Sequence, residues 1–159
     1  MPEADSQRSR LLRLAVSAAS GAAAAFTMPS WSQAWLAWIA WTPMFFCVLG
    51  SRPRDAFYLA WTHTFVFFLV STHWLTFTLT TFAYMPSAVS HALYAALAMV
   101  LACFPGFACM TLRWLPPRRR WTEPVAAALF WAAWEYFRTV HFNGFPWNLV
   151  GYSQHPWIP

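Results

Sequence analysis

Residues 88–112, AVSHALYAALAMVLACFPGFACMTL, run without a single Asp, Glu, Lys or Arg. As a helix rising about 1.5 Å per residue, such a run is long enough to cross a hydrocarbon core roughly 30 Å thick. Pro105-Gly106 inside it predicts a kink, because proline removes a backbone donor and crowds the preceding turn. The whole composition agrees with this stretch. The chain is 59% hydrophobic and 9% charged and carries 12 Trp and 15 Phe, whereas soluble domains are about 25% charged. A soluble core of 159 residues could not hide those rings behind so few charges. The chain therefore reads as an all-α integral membrane protein.

Working outward, residues 115–121 form a basic, proline-containing loop, and Thr122-Glu123-Pro124 reads as a helix start leading to a further span that ends near His141. Upstream, residues 56–78 make a span followed by an uncharged connection around Tyr84-Met85-Pro86. Residues 31–50 make another, with Trp31, Trp35, Trp38 and Trp41 crowded toward its start, as at a membrane interface, and Pro43 expected to bend it. The first apolar run, residues 11–28, is about 27 Å long as a helix. Its Arg-flanked start and Ala22-Ala23-Ala24 also fit a secretory signal peptide. Ser17, Gly21 and Ala25, spaced four apart, form the small-residue stripe that lets another helix approach, which favours a retained span. Residues 1–10 are polar and read as a disordered cytoplasmic tail.

The net charge of +5 excludes little by itself, but its distribution excludes nucleic acid as the partner. All ten basic residues are Arg, and all but Arg138 cluster before the first run (Arg8, Arg10, Arg13), after the second (Arg52, Arg54) and after the fourth (Arg113, Arg118 to Arg120). The other connections have none. By the positive-inside rule the three clusters share the cytoplasmic side, which gives about five transmembrane helices over 11–142, a cytoplasmic N-terminus and a periplasmic loop at 143–159. Cys47, Cys103 and Cys109 all lie in apolar runs without metal-ligand spacing, and read as buried thiols; no metal or cofactor is expected.

The densest chemistry lies in residues 134–154, WEYFRTVHFNGFPWNLVGYSQ. Glu135 and Arg138 are three apart and share a helix face with Trp131 and Trp134. Asn143-Gly144, Phe145-Pro146-Trp147 and Gly151-Tyr152 then bring more turn residues and aromatics than a helix needs. A helix end with an aromatic belt at a membrane surface accounts for part of this.

The stretch also resembles the motif of bacterial apolipoprotein N-acyltransferases, a Glu-aromatic-aromatic-Arg helix end running into GFPW and then GYSQ: here Glu135 to Arg138, Gly144 to Trp147, and Gly151, Tyr152, Ser153 and Gln154. The resemblance extends to Thr72-His73-Trp74-Leu75 and Met85-Pro86, with Ala83-Tyr84 standing where that family usually has glycines. It implies a protein of the bacterial inner membrane that moves a fatty acyl chain from a membrane phospholipid to the N-terminal diacylglyceryl-cysteine of an apolipoprotein, without a cofactor. The family's Glu, Lys and Cys catalytic set belongs to a periplasmic nitrilase-like domain that follows the spans. This sequence has no lysine and ends shortly after the motif, so the resemblance covers the membrane part alone, whether a natural short protein or a truncated fragment, with no catalytic residue and no activity of its own. Under that resemblance Trp74, Phe145, Pro146, Trp147 and Tyr152 are candidates for lipid contact or for interface anchoring. Glu135 and Arg138 either lock the loop to the helix or, through the guanidinium, bind a lipid phosphate. Two other classes stand beside it: a haem protein using His73 and His91 as axial ligands, and a polytopic scaffold or transporter subunit, against which the lack of an internal repeat argues.

Overall fold

A computed structural model of the chain describes residues 2–115, 122–141 and 146–157. Among the described residues every regular element is helical. They are α1 (Pro2–Ala25), a 3-10 turn at Ala34–Leu36 leading into α2 (Ala37–Ala40) and α3 (Thr42–Val48), α4 (Pro53–Ser71), α5 (Trp74–Thr81), α6 (Ser87–Trp114), α7 (Glu123–Val140) and a 3-10 segment at Val150–Trp157.

Contacts between helices fix their directions. Arg10 reaches Asp55 at 3.7 Å and Gly21 lies against His63, so α1 and α4 run parallel. Arg13 donates to the Cys47 carbonyl and Ser20 to that of Ala40, which sets residues 34–48 antiparallel to α1. Trp61 Nε1 donates to the Met99 carbonyl at 3.1 Å and Arg113 Nε to that of Ser51 at 3.2 Å, so α6 runs against α4. Arg113 pairs with Glu123 at 2.8 Å and Phe107 stacks on Trp134 at 5.7 Å, so α7 runs against α6. Among the described residues the chain thus passes five times along the bundle in alternating directions. Arg10, Arg13, Arg52, Arg54 and Arg113 gather at one end, and the far end of α7 lies at the other.

The core is built from small residues and a few large ones. Ala24, Met28, Met44, Val48, Ala56, Ala60 and Phe68 pack in one cluster. The Ser17, Gly21, Ala25 stripe is buried against α4. A Cβ added at Gly21 would stand 2.0 Å from the His63 carbonyl oxygen, so close packing of α1 on α4 depends on its absence. Large apolar side chains such as Phe46, Leu129 and Val100 face outward, each at least 60% exposed.

The elements depart from the sequence expectations in three places. Residues 2–10 are helical and continue α1, since nothing between Pro2 and Leu11 breaks a helix and proline fits a first turn. The run at 31–50 is not one unbroken helix: Pro43 lies in the first turn of a new helix, α3, after a break at Trp41, and the apolar helical part is Ala34–Val48. The run at 56–78 is split into α4 and α5, which meet at 53°. There Ser71 and Thr72 turn their hydroxyls back on the Phe67 and Phe68 carbonyls, both at 2.7 Å, an arrangement that competes with the helical ladder. The run at 88–112 is one helix, α6, with Pro105 inside it. By length and apolarity one described helix, Ser87–Trp114, could cross a membrane, or two if α4 and α5 count as one bent span.

Candidate functional site

The end of α7 positions two charged side chains, and both hold the loop that follows. Glu135 and Arg138, three residues apart, point from one helical face toward α4. The Glu135 carboxylate accepts a hydrogen bond from the Val150 backbone N–H at 3.2 Å. Arg138, 3% exposed, donates from Nη1 to the Trp147 carbonyl at 3.1 Å and lays its guanidinium 5.5 Å from the Phe68 ring centroid. The stem of Arg138 is thereby screened while its fork meets a carbonyl, the geometry a guanidinium is suited to. The two charges attract one another. The carboxylate thus meets an N–H and the guanidinium a C=O of the same returning loop.

Asn148 supplies a third tie. It adopts φ +55°, a left-handed conformation that asparagine tolerates better than most residues, and its Nδ2 donates to Ser71 Oγ at 2.7 Å. The loop is thus fastened to the end of α4, one residue before the bend into α5. Ser153 is buried and donates to the Val150 carbonyl at 2.7 Å, and Gln154 Nε2 donates to the Ala34 carbonyl at 3.2 Å, joining the loop to the second pass.

Trp74, at the start of α5, and Trp147 lie with ring centroids 5.7 Å apart, tilted and both exposed. Pro146, Gly151 and Tyr152 are exposed as well. An added Cβ at Gly151 would meet nothing within 4 Å. Gly144 and Phe145 lie outside the described residues. The structure thus brings Trp74, Glu135, Arg138, Trp147, Ser153 and Gln154 to one end of the bundle. Asn148, Ser71 and His63 were not singled out in the sequence. Only Asn148 carried a usable signal there, an asparagine inside a Gly/Pro loop, the residue type that accepts positive φ.

Beneath the clamp is a cavity of about 20 Å³, lined by Glu135, Arg138, Asn148, His63, Trp131 and Phe68 among others. No thiol lines it; Cys47, Cys103 and Cys109 are free but sit in helices elsewhere. His73 and His91 each use Nδ1 on a carbonyl of their own chain neighbourhood, that of Val70 at 2.9 Å and that of Ser87 at 2.8 Å. Among the described residues no group of three or more His, Cys, Asp or Glu is placed to hold a metal.

Comparison with known proteins bears on the same residues. The family model described as the apolipoprotein N-acyltransferase N-terminal domain matches residues 20–159. The apolipoprotein N-acyltransferase of Bordetella bronchiseptica is 33% identical over 156 residues, covering 87% of this chain and 28% of that protein. That of Geobacter metallireducens is 30% identical over 159 residues, covering all of this chain and 30% of that protein. The protein of Chromobacterium violaceum with the same name is 29% identical over 155 residues, covering 96% of this chain and 30% of its own length. The chain therefore spans less than a third of the length of these curated relatives.

Proposed function

The chain belongs to the family of apolipoprotein N-acyltransferase N-terminal domains, and from that premise we propose that it is the membrane part of an enzyme that acylates lipoproteins. Its reaction moves a fatty acyl chain from a membrane phospholipid to the α-amine of a diacylglyceryl-cysteine. In this reading the five passes lie in the bacterial inner membrane with the N-terminus in the cytoplasm. The clamp at the end of α7 faces the periplasm. Outward-facing Phe46, Val100 and Leu129 support a lipid environment, and the gathering of arginines at the opposite end supports the orientation.

The observation that carries the proposal is the grip of Glu135 and Arg138 on the backbone of Trp147 and Val150. It holds the Trp147-to-Gln154 loop above the bundle, where Trp74 and Trp147 lie with ring centroids 5.7 Å apart and Tyr152 is exposed. Those rings, with Pro146, offer an amphipathic surface of the kind that suits an acyl chain entering from the bilayer. Arg138 is spent on the loop, which favours its structural role over direct phosphate binding.

Chemistry must come from elsewhere. An acyl-enzyme needs a nucleophile that reaches the lipid ester and a cation or donor for the oxyanion. These 159 residues include no lysine, and the cysteines are held in helices. The 159-residue chain alone is therefore inactive, and it becomes part of an active enzyme when joined to the catalytic domain of a relative. The test is transfer of labelled acyl chains from phosphatidylethanolamine to a diacylated lipopeptide, by the bare chain and by such a fusion. Turnover by the fusion alone is expected. Turnover by the bare chain overturns the division of labour, and a folded but inactive fusion counts against the functional assignment.

A further inference from the structure

The cavity beneath the clamp is lined by polar groups that the protein does not fully satisfy. One ring nitrogen of His63, which is 1% exposed, faces the Ser17 backbone carbonyl but falls short of bonding geometry, the other has no partner, and the buried Trp131 Nε1 has none within bonding geometry. A neutral imidazole presents one donor and one acceptor, an indole one donor, and burying them unpaired costs free energy. The indole N–H of Trp131 feels the Glu135 carboxylate but stops short of bonding geometry. A polar gap of that kind is what one intervening water closes. The cavity measures about 20 Å³, and a single water needs roughly 10–15 Å³ on this measure together with two to four polar partners. His63, Trp131, Glu135 and Asn148 all line it.

We propose that this cavity is a built site for one ordered water molecule, which accepts from Trp131 Nε1, bonds a ring nitrogen of His63 and donates to the Glu135 carboxylate. The water joins α4 to α7 directly under the loop clamp. It gives His63 a role that neither the family resemblance nor the clamp requires. The inference does not depend on the acyltransferase reading.

The test is pulsed X-ray hydroxyl-radical labelling of the purified chain, followed by mass spectrometry. Radicals born on a bound water modify the side chains next to it even when these are buried. His63 and Trp131 are expected to be oxidised, while Met28 and Met44, more reactive but buried away from the cavity, stay unmodified. Protection of His63 and Trp131 would mean a dry cavity and overturn the proposal. Equal oxidation of Met28 and Met44 would mean general water entry and overturn it too. In a His63→Phe variant the labelling of Trp131, which is half-buried and also lines the open groove beside Phe45, should fall to the level that bulk solvent alone gives. Should that variant fail to fold, Trp131→Phe with His63 as the readout asks the same question, and retained labelling in the folded variant contradicts the bridge.

Discussion

Gly21 and Gly151 make opposite demands on their surroundings. At Gly21 a methyl group would meet the backbone carbonyl of His63 at 2.0 Å, and neither helix can move without disturbing the core cluster. Gly21→Ala should therefore destabilise the chain by about 1–3 kcal/mol, as overpacking does. At Gly151 the space is open, and Gly151→Ala should change stability by less than about 0.5 kcal/mol. Thermal unfolding in micelles measures both. A loss of activity at Gly151 in an active fusion, without loss of stability, would mark contact with a substrate or with the rest of the enzyme. Tyr84 is the converse case: it takes φ +52°, the left-handed region that favours glycine, and it is 88% exposed, so the backbone there carries the strain of a Cβ. Tyr84→Gly should raise stability by about 1 kcal/mol, because a left-handed Cβ is relieved and no packing is lost.

Among the elements, α7 and its loop act as one unit. Removing either Glu135 or Arg138 leaves a backbone group of the loop unpaired and a charge poorly satisfied, and each Ala substitution should cost about 2–3 kcal/mol. Because both residues hold the same loop, the double substitution should cost clearly less than the sum; additive losses would show that the two act independently. The helix was legible from Pro124 and the Glu135-Arg138 spacing, and α6 from its uncharged run. The broken elements were not. Pro43 signals a disturbance, but whether it bends a helix or starts a new one depends on the Trp41 ring, which packs on His63 and Phe67 from another pass. The bend at residues 72–73 has no proline or glycine to announce it; it follows from hydroxyl back-bonding and from the tie between Ser71 and Asn148, a contact across 77 positions. The clamp was legible as a charged pair and not as a grip on backbone, since sequence spacing places side chains on a face without saying what comes to meet them.

At the scale of the molecule, the account rests on polarity: arginines gathered at one end of the bundle, the loop clamp at the other. The gathering could be anticipated from the spacing of Arg clusters between apolar runs. The contacts that cement it, Arg10 to Asp55, Arg13 to Cys47 and Arg113 to Ser51 and Glu123, could not. Length and apolarity alone single out α6, because α7 carries Glu123, Glu135 and Arg138, α1 begins in a polar segment, and α2 with α3 is short. The direct measurement is thiol labelling of intact cells with a membrane-impermeant reagent, in a background without Cys47, Cys103 and Cys109. Single cysteines replace Tyr84 and Trp114, exposed residues flanking opposite ends of α6. The account predicts labelling at position 84 and none at position 114 until the cells are opened. Labelling at 114 with protection at 84 would invert the molecule in the membrane, and equal labelling at both before lysis would mean that α6 does not cross it.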